Sequence, residues 1–184
     1  MRGARAPARS LSARTARAAV LALGAACLAV ALVRPARWWA LQRGLDAAAA
    51  VPWIPPAALA EALGGDAPPL VLDVRPPHEV ARGRIPGARQ TDPDTDAATL
   101  AAEIGDREVV VYCSVGVRSG RLARRLAARG VAVRNLRGAV FQWANAGRPL
   151  VTASGAPTAT VHPYSAHWAR YLRPGARAEP GDGG

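Results

Sequence analysis

The chain has 184 residues, half of them hydrophobic, with 24 Arg and no Lys against 13 Asp and Glu, for a formal net charge of +11. That length suits one ordinary domain with some chain to spare. Sixteen of the Arg residues and every acid lie from residue 44 on, so that part carries only about +3, and the excess basic charge sits in an N-terminal arm. This excludes a polybasic nucleic-acid binder, which spreads its charge over a folded surface.

Residues 1–17 form the basic arm, with Arg2, Arg5, Arg9, Arg14 and Arg17. Residues 18–33, AAVLALGAACLAVALV, form an unbroken apolar run, followed by Arg34, Arg37 and the pair Trp38–Trp39. At 1.5 Å of rise per residue this helix is roughly 24 Å long, short of the ~30 Å hydrocarbon core, a deficit that snorkelling Arg side chains cover. The first reading is a single-span anchor with an interfacial Trp pair. A cleaved signal peptide with a small-x-small site at Ala29–Val30–Ala31 is the second, and a buried soluble helix the third. The Arg asymmetry puts the N-terminus in the cytoplasm and the remainder across the membrane, periplasmic if the cell is bacterial. Secretion after cleavage is the alternative.

Residues 34–50 read as a juxtamembrane helical linker, with Trp38, Leu41 and Leu45 on one face. Then short apolar runs alternate with helical patterns. Val51–Ile54 is a weak strand, and Pro56–Leu63 a helix opened by proline and closed by Gly64–Gly65. Leu70–Val74, Glu108–Tyr112 and Val131–Leu136 read as buried strands. Asp94–Ile104, Ser119–Arg129 and Gly138–Ala146 read as helices, the last two closed by Gly130 and Gly147. The alternation predicts an α/β fold over residues 51–151, a small parallel sheet with helices on both faces. Residues 152–184 are rich in Pro, Ala and Gly, and the last ten or so are expected to be disordered. Within them VHPYSAHWARYL, 161–172, has enough aromatic character to dock on the domain or on lipid.

The two cysteines sit in unlike settings, Cys27 inside the apolar run and Cys113 at a strand end, so a disulfide framework is not expected. His78, His162 and His167 are scattered, with no Cys/His spacing suited to zinc, and neither a metal nor another cofactor is expected. His78 reads as a surface residue, Phe141 and Trp143 as core.

Ligands of open parallel sheets bind at the carboxyl ends of the strands, where Cys113 stands. The residues after it, SVGVRS, lead directly into a helix. Their backbone N–H groups can turn inward as a nest, and the helix N-terminus adds the positive end of its dipole. Such a loop stabilises a thiolate, a bound anion or an anionic sulfur adduct. Gly116 permits the tight turn, and Arg118 is positioned to pair with an anionic substrate. Arg118, Arg121, Arg125 and Arg129 recur along one helix face; Arg118 reads as functional, Arg125 and Arg129 as solvated.

Three segments together resemble the rhodanese family. LDVRPPHEVARGRIPGA, 72–88, is similar to its first signature, VVVYCSVGVRSGRLARRLAARG, 109–130, to its active-site strand, loop and helix, and NLRGAVFQWANAGRPLV, 135–151, to its closing segment. The resemblance implies that Cys113 takes a sulfane sulfur from a small anionic donor such as thiosulfate. The resulting persulfide then passes its sulfur to cyanide or a thiol, which can belong to a protein. It implies a cradle of N–H groups from Ser114, Val115, Gly116, Val117, Arg118 and Ser119, with Arg118 and the Ser119 hydroxyl as side-chain contacts. It also implies a structural role for Asp73, Arg75 and Glu79. Arg84 stands where the family often has histidine, at a position regarded as architectural.

Three other functions compete. Cysteine phosphatases and arsenate reductases share the strand–Cys loop–helix logic, but their loops resemble Cys-x5-Arg, whereas four residues separate Cys113 from Arg118. A membrane-tethered binding or persulfide-carrier module would share every feature above without fast turnover on small molecules. A redox relay would need a resolving cysteine that residues 51–151 lack.

Overall fold

The computed structural model describes residues 36–48 and 50–178. The expected membrane segment 18–33 and the basic arm lie outside them. Among the described residues no helix is long and apolar enough to cross a membrane. The chain divides into two compact units at residue 40. Residues 36–40 of the first are helical, and the second begins with helix α1 (41–48).

The second unit runs β1 (Trp53–Ile54), α2 (Pro56–Leu63), β2 (Leu70–Asp73), α3 (Pro77–Ala81), β3 (Arg89–Gln90), α4 (Ala97–Ile104), β4 (Val109–Tyr112), α5 (Val117–Ala127), β5 (Val133–Leu136) and α6 (Ala139–Asn145). The hairpin β6 (Leu150–Val151) and β7 (Pro157–Thr158), helix α7 (Ala166–Ala169) and a 3-10 turn at Pro174–Ala176 follow. The five strands β1-β5-β4-β2-β3 form one parallel sheet, as the alternation of strands and helices requires. β4 is central, and all four of its residues are buried.

The expected elements recur with boundaries set by local chemistry. α2 has the predicted limits because Pro56 fixes its first turn and Gly64 caps its end. α4 starts three residues later than expected, since the Asp96 carboxylate caps it by accepting the Thr99 N–H at 2.8 Å. α5 starts two residues earlier, because Gly116, at φ 108°, ends the preceding loop in a left-handed conformation that side-chain-bearing residues avoid. The side chains of β4 alternate. Val109, Val111 and Cys113 join Leu100 and Ile104 of α4 and Leu122, Ala123 and Leu126 of α5 in one buried cluster. Helices α2 and α6 pack against each other, with Leu59, Phe141 and Trp143 buried.

Residues 152–178 pack on the domain. Val161 exchanges backbone hydrogen bonds with Ala176 and Ala178, both at 3.0 Å, and is fully buried. The Asn145 side chain donates to the Tyr171 carbonyl at 2.7 Å and accepts the Arg173 N–H at 2.8 Å. The segment 161–172 therefore docks on the domain, the first of the two alternatives that its aromatic character offered. Arg84 takes part through its backbone, pairing with Val151 at 2.8 and 2.9 Å.

Gly83 explains how closely the extension approaches. A Cβ there would run into the backbone carbonyl of Thr160, which cannot swing aside as a flexible side chain can. Gly83→Ala is expected to lower unfolding free energy by about 1–3 kcal/mol, measured by urea denaturation. An unchanged midpoint would mean that the extension is not packed on Gly83.

Candidate active site

Cys113 follows the last residue of the central strand, and its side chain is 1% exposed. The Sγ accepts the Gly116 N–H at 3.1 Å and the Ser119 hydroxyl at 3.6 Å. Two donors six or fewer residues away thus point at one sulfur, and the first turn of α5 adds N–H groups that have no intrahelical acceptor.

The donors point inward because the loop carbonyls are held outward. The Cys113 carbonyl accepts the Val140 N–H at 3.1 Å, and the Ser114 carbonyl the Phe141 N–H at 3.3 Å. The Val115 carbonyl accepts from Gln42 Nε2 at 3.4 Å. The Gly116 carbonyl accepts from Asn135 Nδ2 at 3.3 Å and from the Gly120 N–H at 3.0 Å. Gln42 has a second bond, accepting the Gly138 N–H at 2.9 Å, so α1 ties the loop to the start of α6. Each peptide unit has its N–H and C=O on opposite sides, so fixing a carbonyl aims the following N–H.

Glu79 holds the other side of the loop. Its carboxylate accepts the Ser114 hydroxyl at 2.8 Å and two Arg118 nitrogens, Nη1 at 2.8 Å and Nη2 at 2.9 Å. Arg118 Nη2 also reaches Ser114 Oγ at 2.9 Å, closing a triangle. Burial pushes the Glu79 carboxyl upward, but the hydrogen bonds from Arg118 and Ser114 and the charge of Arg118 hold it below its ordinary value. Burial likewise works against the Arg118 charge, which Glu79 outweighs. Glu79 therefore binds the loop directly.

Asp73 and Arg75 form a separate, fully buried ion pair. Arg75 Nε donates to Asp73 Oδ1 at 2.9 Å and Nη2 to Oδ2 at 2.6 Å. Nη2 also reaches the Gly83 carbonyl at 2.8 Å, joining the end of β2 to the segment under the extension. Burial disfavours the Arg75 charge, but Asp73 outweighs it and holds the guanidinium protonated. Its guanidinium lies 5.6 Å from the centre of the Tyr112 ring. Burial, reinforced by Asp73, pushes the Tyr112 phenol well above its ordinary value, and its oxygen accepts the Ile85 N–H at 3.1 Å.

A cavity of about 300 Å³ opens over Cys113, bounded by Ser114, Val115, Val117, Arg118 and Arg121 and, from the extension, by Tyr164 and Trp168. Cys113 to Ser119 form the loop and the first turn of α5, and Glu79 joins them through Ser114 and Arg118. His78 is exposed, with the His162 ring 5.4 Å away between centroids in a T-shaped arrangement. No group of three or more His, Cys, Asp and Glu residues among the described residues is arranged to hold a metal. Sequence reasoning missed Gln42, Asn135, Tyr164 and Trp168. The visible signals were the amide of Asn135 within the buried strand pattern VAVRNL and the aromatic character of 161–172.

The Rhodanese-like domain family model matches residues 55–146. The chain belongs to that family. A protein of Allochromatium vinosum named sulfurtransferase is 38% identical over 87 residues, which are 47% of this chain and 81% of that one. The structure of thiosulfate sulfurtransferase from Pseudomonas aeruginosa is 26% identical with a TM-score of 0.51, over 70% of this chain and 23% of that chain. A rhodanese-like domain from Anabaena, 23% identical with a TM-score of 0.50, covers 55% of this chain and 79% of its own and shares the fold. The rhodanese-like match ends before the extension, so Tyr164 and Trp168 lie beyond it.

The low folded value of Glu79 has a signed consequence. Its contribution to stability is present above its unfolded value, about 4.3, and is lost as pH falls through the depressed folded value. Glu79→Gln is expected to destabilise by about 1–3 kcal/mol at pH 7 and to flatten the loss of stability below about pH 5. Parallel wild-type and variant profiles from pH 7 to pH 3 would contradict this role.

Proposed function

We propose that this domain is a sulfurtransferase carrying a sulfane sulfur as a persulfide on Cys113, with thiosulfate or a similar anion as donor and cyanide or a thiol as acceptor. The observation that carries the reading is the Cys113 sulfur, buried at the carboxyl end of the central strand and bonded by Gly116 N–H and Ser119 Oγ–H. The Cys113 thiolate attacks the sulfane sulfur of thiosulfate. The Cys113 S–S bond forms as the donor S–S bond breaks, and sulfite leaves with the electron pair. The terminal persulfide sulfur is anionic and enters the space that the N–H groups of residues 114–119 enclose, where preorganised donors stabilise charge. Cyanide or a thiolate attacks that outer sulfur, and the Cys113 thiolate leaves. No external oxidant or reductant is needed.

Two features weigh against phosphoryl transfer. The loop from Cys113 to Arg118 has four intervening residues, and both terminal nitrogens of Arg118 are engaged by Glu79 and Ser114. The apolar run 18–33 with its basic preface supports tethering to a membrane, with the domain on the extracytoplasmic side.

The test is intact-mass spectrometry of the full-length protein after thiosulfate, beside Cys113→Ser. The full chain is required because a cut near residue 44 would remove Gln42 and release the Val115 carbonyl. A gain of ~32 Da that cyanide removes and the variant lacks is expected. A folded protein with no adduct would reject thiosulfate as donor.

A further inference from the structure

The extension brings aromatic side chains to the cavity, and it does so in a strained conformation. Tyr164 has φ 65°, unusual for a residue with a bulky side chain. The turn is held by the Tyr164 N–H donating to His162 Nδ1 at 3.0 Å and by the Ser165 N–H on the Pro163 carbonyl at 2.7 Å. Its consequence is that one face of the half-exposed Tyr164 ring lies on the Arg118 guanidinium, 5.1 Å from centroid to Cζ. Trp168 stands beside it on α7, its ring 5.6 Å from that of Tyr171. Strain of this kind persists only where the surrounding structure enforces it.

The charges at the cavity divide unequally. Glu79 neutralises Arg118, whereas Arg121, exposed at the mouth, has no acidic partner among the described residues. The space, about 300 Å³, equals roughly ten waters of liquid volume, far more than thiosulfate or cyanide fills. An anion site walled by two aromatic rings suits a ligand with a charged end and a flat apolar body.

We infer that Tyr164 and Trp168 are specificity-determining residues that select arenethiosulfonate-type sulfur donors, an anionic group joined to a flat apolar body, over thiosulfate and short alkyl thiosulfonates, with Arg121 binding the anionic group that these donors share. This rests on the sulfurtransferase reading. The Cys113 thiolate attacks the sulfane sulfur of R–SO2–S⁻. The persulfide S–S bond forms, the donor S–S bond breaks, and the sulfinate R–SO2⁻ leaves with the electron pair. Arg121 binds the anionic end, and the rings of Tyr164 and Trp168 cover R.

The test measures thiocyanate formation by the full-length protein with cyanide and either benzenethiosulfonate or methanethiosulfonate. The kcat/KM ratio of aromatic over methyl donor is expected to be about tenfold in the wild type. It is expected to fall several-fold in Tyr164→Leu and Trp168→Leu and to be retained in Tyr164→Phe. Arg121→Gln is expected to raise KM for both donors with little change in their ratio. A wild-type ratio near one overturns the inference, as does a ratio preserved in both Leu variants. Persulfide mass after thiosulfate reports whether each variant is folded and competent. If the wild type forms no persulfide with any donor, the sulfurtransferase reading falls, and this inference with it.

Discussion

The site depends on where four carbonyl groups point. A loop of small residues after a buried strand can turn either its N–H or its C=O groups toward the space above Cys113, and only the first arrangement accepts an anionic sulfur. The carbonyls of residues 113 to 116 are each taken by a partner outside that space, two of them backbone N–H groups of α6 and two of them the amide side chains of Gln42 and Asn135. With the carbonyls engaged elsewhere, the Gly116 N–H faces the Cys113 sulfur, a preorganised donor of the kind that needs no reorganisation when charge arrives. The left-handed turn at Gly116 then starts α5 at the sulfur and adds the unpaired N–H groups of its first turn.

Glu79 completes the constraint from the opposite side. A buried carboxylate is costly unless paired, and this one pairs with the loop itself, through Ser114 and Arg118. The same contacts reduce the part Arg118 can play as a free cation. Arg118 still acts on the Cys113 sulfur, so its charge, the loop N–H groups and Arg121 at the mouth together set the electrostatics of the cavity. The Asp73–Arg75 pair is chemically similar but does different work, holding the end of β2 to Gly83, on which the extension packs.

Much of the fold was legible because its signals are local. The four apolar residues of β4, the proline at the start of α2 and the left-handed Gly116 fix the central strand, a helix boundary and the turn at the sulfur from adjacent residues alone. The order of the three signature segments pointed to the rhodanese-like family. What was not legible is carried by pairs far apart in sequence. Gln42 lies 73 residues from Val115 and Glu79 39 residues from Arg118, and neither spacing leaves a periodic trace. β3 has two residues and α3 five, too few for a repeat to register. The aromatic character of 161–172 showed that the segment could dock but not where, because its place is set by Gly83 and Asn145, a tertiary effect. Tyr164 and Trp168 thereby reach a cavity whose other walls lie more than 40 residues earlier.

The most direct measurement is a high-resolution crystal structure of the protein after exposure to thiosulfate. The account predicts one additional sulfur bonded to Cys113 Sγ, surrounded by N–H groups of residues 114–119, with the Val115 and Gly116 carbonyls still bonded to Gln42 and Asn135. A persulfide seated against carbonyl oxygens, or a loop whose peptides turn over to receive it, would contradict the claim that the outward carbonyls prepare the site.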